Sequence, residues 1–290
     1  MTALQLAADG LALGAAYALV AAGFVLTLNA SRAVNFAHGD TVMAGGFLAV
    51  ALAGFMPVPG ILLLPLVLAL MTIFGAALAG VAYFPLRGRP AVSVFVSTIA
   101  AGIVLQSAAT AWFGAAPRAG PSLLGGGMVD LALAQLPRQA VATIAAAGAV
   151  YLGIHLLLAH TQLGRRLRAA AQDPGMAEAL GIPVAAMTAL SFALAAALAG
   201  AAGLLLSNSF FVTPAEGANF MLKAYIAAVI GGWGRLHGAA LGALMIGVFE
   251  TAVATMASQV LAEALLYAAL LAILLFRPSG LFGEAAGSRA

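Results

Sequence analysis

The sequence contains no cysteine and, in 290 residues, only 12 basic and 9 acidic side chains. Without cysteine, neither a disulfide framework nor a cysteine-ligated metal site can form. The scarcity of charge excludes more. A soluble domain carries about 25% charged residues, and the 7% present here could not clothe a globule of this length. Catalytic signatures are missing too. The four histidines (His38, His155, His160 and His237) stand in no metal-ligating spacing, and there is no Gly-x-Ser-x-Gly elbow. No enzyme can be assembled from these residues, and no cofactor or metal is expected on this chain. A phosphate loop of the form Gly-x-x-x-x-Gly-Lys-Ser/Thr is also absent. Any ATPase that drives the protein must therefore be a different polypeptide. The arginines are scattered over short loops and not gathered on one face, which argues against nucleic acid as a partner.

What the chain has is apolar length. It is 64% hydrophobic, with 34 glycines and a mean hydropathy of +1.10. Apolar windows near the roughly 20 residues needed to cross a bilayer as helix recur along it. They are continuous and do not alternate with period two, so they read as helices and not as barrel strands. The expected fold is an all-α integral membrane protein, a polytopic helical bundle of about 8–9 transmembrane segments with broken or re-entrant helices. All 290 residues are expected to form a single transmembrane domain surrounded by lipid. The N-terminal stretch lacks the basic region of a cleavable signal, so the first apolar run is read as a retained span.

The expected segments are Leu11–Leu28, Thr41–Phe55, Ile61–Phe84, Ser93–Phe113 and Gln139–His160, followed by Ala185–Val212, Ala218–Ile230, Ala239–Met256 and Leu261–Phe276. Gly114–Arg138, with its glycine triplet and two prolines, reads as an external loop at 114–138. Small residues at close spacing, such as Gly10/Gly14, Gly75/Gly80, Gly200/Gly203 and Gly238/Gly242, point to helices packed backbone to backbone. The glycine-rich run 231–238 either separates two spans or marks a re-entrant pair, which would leave eight spans or fewer.

One stretch breaks the apolar pattern. Thr161–Pro183 holds Arg165, Arg166, Arg168, Asp173 and Glu178 between two long hydrophobic runs. Ionised groups cost several kcal/mol in hydrocarbon, so this island belongs in water. With the island in the cytoplasm and nine alternating spans, nine of the twelve basic residues fall on the cytoplasmic side, as the positive-inside rule favours. The N-terminus is then outside and the C-terminus inside. Gly164, Arg165 and Arg168 suit an anchor to the fifth segment. Glu178, Ala179, Leu180, Gly181 and Ile182 suit a contact surface for a cytoplasmic partner.

Within the membrane, polar residues mark candidate positions along a path. Asn35, His38, Gly39 and Asp40 open the second segment. They either line a cavity or cap a helix at the water boundary. Lys223 and Glu250 are charges within late spans, and such residues are functional candidates by default. Lys223, near a segment end, has the alternative of snorkelling outward. Gly231 and Gly232 mark a helix interruption of the kind transporters place at substrate level.

These motifs, taken in order, carry a resemblance. Val34–Asp40, Gly164–Ala169 with Ala177–Ile182, Lys223-Ala224-Tyr225, Gly231–Gly234 and Arg277–Gly283 together resemble the branched-chain amino acid ABC-importer permeases of the LivH type. The chain departs from the family at Arg235-Leu236, inside the usual glycine run. The resemblance implies a multi-pass protein of the bacterial inner membrane, the permease of an ATP-driven importer for branched-chain or other hydrophobic amino acids, or related small amides and acids. It implies a LivM-like permease partner (a heterodimer, with a homodimer as the other option). Two cytoplasmic ATP-binding subunits carrying ATP and Mg, and a periplasmic solute-binding protein, complete the expected assembly. It also implies that the loop at 161–184 docks on the ATPase. The competing reading is a secondary transporter or channel for small polar solutes that works without an ATPase.

Overall fold

Alanine and glycine dominate the two helices at the centre of the molecule, α1 (Ala3–Ser31) and α8 (Val184–Ser207). The computed structural model describes residues 3–131, 134–277 and 280. Small side chains let these two helices be approached from several sides at backbone distance, which is how helices associate where lipid is as apolar as leucine. A methyl group added at Gly14 would stand 2.8 Å from the Cα of Leu244, and one at Gly10 would stand 2.9 Å from the Cα of Val248. Both contacts are with α10 (Leu236–Met256). On α8, Gly200 packs against Met71 and Gly203 against the backbone of Val42 and Gly46.

Those partners lie on α3 (Gly60–Leu78) and α2 (Ala37–Phe55). A π-turn over Ala79–Tyr83 and a 3₁₀ turn over Phe84–Leu86 continue α3. Pro85 has no N–H to extend the helix, so the chain turns at Arg87. Not every small-residue pair is a packing pair: Gly75 abuts α8, whereas Gly80 faces open space. The outer helices are α4 (Ala91–Phe113), α5 (Arg138–His160) and α11 (Gln259–Phe276). In the most apolar window of each helix, 83% of α1 and of α8 is buried, against 17% of α4 and 11% of α11. The first pair forms the core; the second presents leucine, valine and isoleucine outward.

Among the described residues, eight helices are long and apolar enough to span a membrane. The seventh expected segment, α9 (Gly217–Gly231), has 15 residues and measures about 22 Å at 1.5 Å per residue, too short to cross alone, as the re-entrant alternative required. The sixth segment is also shorter than expected. α8 stops at Ser207 because Asn208 and the external loop take over: Gly120 N donates to Ser207 O at 2.7 Å, and Asn208 Nδ2 donates to Gly120 O at 3.3 Å. Residues 208–216 then run back along the bundle, with Val212 and Arg118 exchanging backbone hydrogen bonds.

The loop at 114–138, expected to be external, holds more order than its glycines suggested. An antiparallel hairpin pairs β1 (Met128–Leu131) with β2 (Ala134–Pro137), in the register Met128↔Pro137 and Val129↔Leu136. Leu123 of this loop is fully buried, and Gly60 N donates to Ser122 O at 2.8 Å. The loop is a lid fastened to α3. On the opposite face lie α6 (Gln162–Gln172) and α7 (Pro174–Ala179). The expected terminal motif at Arg277–Gly283 falls mostly outside the described residues, as does Arg289.

Candidate functional site

Two broken helices meet halfway up the bundle. α1 ends at Ser31, and after five intervening residues α2 begins at Ala37, already buried. Its first turn lies level with the middle of α1: the His38 ring, 1% exposed, sets Nε2 2.9 Å from Val20 O. A nitrogen facing a carbonyl must carry the proton, so this one donates. Asn35 closes the entry turn, its Oδ1 accepting from Ala37 N at 3.2 Å. Phe36 N donates to Thr98 Oγ1 at 3.2 Å, which ties the same turn to α4.

The first turn of α9 crosses this point. A methyl on Gly39 would overlap the carbonyl oxygen of Gly217, and one on Gly217 would overlap the Asp40 carboxylate. Asp40 is buried at the junction. Its Oδ1 accepts from Gln106 Nε2 at 2.8 Å, and Gly102 lies against Oδ2. Asp40 forms no ion pair with any described residue. Two helix N-termini, each carrying roughly half a positive charge, supply the compensating field. The two readings of Asn35–Asp40 therefore divide. Asn35 closes a turn, whereas Asp40 reaches sideways to α4 and α9 inside the bundle.

The second charged cluster lies beside it. Lys223 on α9 is buried and does not snorkel to the membrane edge, because partners stand within reach. Its Nζ donates to Glu250 Oε1 at 2.7 Å and to Tyr17 Oη at 2.8 Å. Gln259 Nε2 donates to the same carboxylate oxygen at 2.6 Å, and the ammonium lies 5.0 Å from the centroid of the Tyr17 ring. Glu250 Oε2 is buried and has no hydrogen-bond partner among the described residues. This network fastens the half-helix α9 to α1, α10 and α11. Tyr17 and Gln259 were not among the residues singled out from sequence. The usable signal was Tyr17 itself, the one aromatic hydroxyl in an alanine-leucine run.

Gly231 and Gly232 belong to neither cluster. They close the far end of α9, where Gly231 and Gly238 touch backbone to backbone and Gly232 has φ 96°. The turn between α9 and α10 is held to α1 by Asn29 Nδ2, which donates to Gly234 O at 2.9 Å.

On the island, Thr161 Oγ1 caps α6 by accepting from Gly164 N at 3.0 Å. Asp173 Oδ1 caps α7 by accepting from Met176 N at 3.0 Å, as short polar side chains do at helix starts. Gly164 rests on the carbonyls of Leu157 and Leu158, and Arg168 Nη1 donates to Leu158 O. Leu167, Ala170 and Ala177 pack with Val184 and Met187 under the bundle. Arg165 is exposed, as are Ala179 and Gly181. Leu180 is 74% exposed, Gly181 turns the chain with φ 77°, and Ile182 folds back toward α8. Glu178 Oε1 accepts from Arg87 Nη2 at 3.0 Å, which joins the island to the α3–α4 turn.

Residues 6–274 match the family described as the branched-chain amino acid transport system permease component. The chain is 32% identical over 97% of its length, and 96% of the relative's, to the high-affinity branched-chain amino acid transport system permease protein BraD of Pseudomonas aeruginosa. It is 31% identical, over the same shares, to the corresponding permease protein LivH of Escherichia coli K12. A probable LivH of Methanocaldococcus jannaschii is 27% identical over 80% of this chain and 75% of that protein. No solved structure matches the chain. A polytopic bundle aligned end to end with such proteins is a membrane permease, and the chain belongs to the branched-chain amino acid transport permease family.

Proposed function

We propose that the chain is the LivH-type permease subunit of an ATP-driven importer, moving branched-chain or other hydrophobic amino acids across the bacterial inner membrane. The observation that carries this reading is the family match over residues 6–274, with relatives that are permease proteins of high-affinity branched-chain amino acid systems. A LivM-like permease, two ATP-binding subunits that hold ATP and Mg, and a periplasmic solute-binding protein complete the machine. Recognition of the solute rests with the binding protein.

The island at 161–184 is the ATPase dock. Its support is a division of labour between anchor and surface. Gly164, Arg168 and Leu167 hold α6 to the bundle, while Leu180 and Gly181 are exposed and stand outward. The link from Glu178 to Arg87 gives the dock a second lever on α3 and α4. Closure of the ATPase pair then moves the island, α3 and α4 together. The α2–α9 junction is the part of the path that this movement opens. Broken helices whose N-termini meet inside the bundle are how transporters receive polar solutes at mid-membrane depth, and Asp40 is a buried carboxylate there with no ion-pair partner among the described residues.

Reconstitution tests this reading. Vesicles holding the chain with its genomic neighbours should take up leucine only with ATP and the binding protein present. Uptake by this chain alone would instead establish a secondary transporter or channel. For the dock, Leu180→Asp should abolish co-purification of the ATP-binding subunits.

A further inference from the structure

α5 and α10 both pack along α1, yet among the described residues they scarcely touch one another. Between them runs a cleft floored by small residues. Its upper part, about 400 Å³, is walled by Ala15, Ala18, Ala147, Gly148, Tyr151 and Ala240. At His237 it joins a lower cavity of about 230 Å³, which His155, Leu158 and Leu167 also line. That cavity shares Asn29, Arg168 and Ala171 with a mouth of about 580 Å³ that also holds Arg32 and Trp233. Ala15 and Ala18 of α1 line the upper space and Leu26, Asn29 and Ala30 the lower one, so the two together are spread along about 21 Å of α1 at 1.5 Å per residue. That exceeds half of the roughly 30 Å hydrocarbon thickness, so the groove suits one leaflet's acyl chain.

The mouth has one sign of charge. Arg32 and Arg168 line it, and no Asp or Glu lines any of the three adjoining spaces. Each arginine is fixed by one backbone carbonyl: Arg32 Nη2 donates to Gln172 O at 3.0 Å, and Arg168 Nη1 donates to Leu158 O. A guanidinium has five N–H donors, so each retains a fork for a phosphate. Tyr151 Oη and His237 Nδ1 lie 2.9 Å apart and are a side-chain link between α5 and α10 on the wall of the upper cleft. Among the described residues, Arg32 is the only non-glycine with positive φ, at 55°. Such a conformation is retained where surrounding structure or function requires it.

We propose that this groove is a site for an anionic phospholipid, with its phosphate between Arg32 and Arg168 and one acyl chain lying over α1 between α5 and α10. An empty cleft at membrane depth would forfeit dispersion contacts along both helices. A lipid chain restores them, and basic pockets between transmembrane helices on the cytoplasmic side select anionic headgroups. The site requires only that the chain spans a membrane with its island in the cytoplasm, so it stands apart from the identity of the transported solute.

Photolabelling tests it on the full chain. The purified protein is placed in phosphatidylcholine nanodiscs doped with phosphatidylglycerol that carries a diazirine in its acyl chain. Label should concentrate on residues 144–151 and 240–244, and the same diazirine on phosphatidylcholine should label them weakly. Arg32→Gln and Arg168→Gln should each reduce the label roughly fivefold, whereas Arg89→Gln should leave it unchanged. Gly148→Leu is the second variant. Nothing stands within 4 Å of a methyl group there, so the protein accepts the side chain and the groove is filled. It should remove the label without lowering thermal stability. Equal labelling by the two lipids, label spread evenly over α3 and α4, or occupation of the cleft by another subunit would each overturn the assignment.

Discussion

Lys223 and Glu250 stabilise one another only as a pair. Each is an ion removed from water, and their 2.7 Å contact, with Tyr17 and Gln259, offsets that cost. Removing one partner strands the other. Glu250→Ala or Lys223→Met should therefore lower stability by about 3–5 kcal/mol. The double variant Lys223→Met with Glu250→Leu should recover most of it, as thermal unfolding in one fixed detergent would measure. A double variant no more stable than the singles would mean that the cluster holds α9 by shape and not by charge. Glu178 and Arg87 present the opposite case. Their side chains are 57% and 42% exposed, and pairs in water contribute about 0–1 kcal/mol. Glu178→Gln should barely move the unfolding temperature, so any effect it has on ATPase binding reports on the dock.

At the scale of the element, α2 and α9 depend on the absence of side chains where they cross. Gly39 faces the Gly217 carbonyl, and a methyl on Gly217 would overlap Asp40. Gly39→Val forces the crossing apart and should cost at least about 2 kcal/mol as overpacking. Gly80→Ala in the π-turn that continues α3, where nothing lies within 4 Å, should be neutral or slightly stabilising through helix propensity. Both are read by the same unfolding assay. The glycines looked alike in the sequence. Whether one is a contact or a bystander depends on which helix lies opposite, and helical spacing alone carries no such information.

The whole molecule turns on its orientation. The absence of cysteine allows single cysteines to be introduced into a silent background. Ala116→Cys in the external loop should react with a membrane-impermeant maleimide in intact cells. Arg166→Cys on α6 should react only after the membrane is opened. The reverse pattern would invert the topology and remove the island from any cytoplasmic ATPase. Docking itself is tested at this scale by Leu180→Asp, which should release the ATP-binding subunits, while Arg165→Gln should retain them. Most of the architecture was legible in the chain: the apolar windows, the external loop and the polar island each follow from composition over about 20 residues. The short α9 was less so, because its brief apolar run left both a separate span and a re-entrant pair open, and only the fold shows a 15-residue helix outside the eight spans.

Sequence by itself determined that this is a helical membrane protein with a charged island that belongs in water. Those conclusions rest on solvation: hydrocarbon rejects ionised groups and unsatisfied backbone wherever the chain folds. It also marked Asn35–Asp40, Lys223 and Glu250, because a polar residue costs most where its neighbours are apolar. Only the tertiary structure decided what each of them meets. Lys223 and Glu250 form a pair because α9 and α10 lie antiparallel about a shared glycine contact at Gly231 and Gly238. Asp40 meets no cation among the described residues, and two helix N-termini converge on it instead. The cleft between α5 and α10 exists because both helices chose α1 as partner. Pairings of this kind join residues some 30 to 230 positions apart, and close approach between distant helices leaves no periodic trace along the chain that makes it.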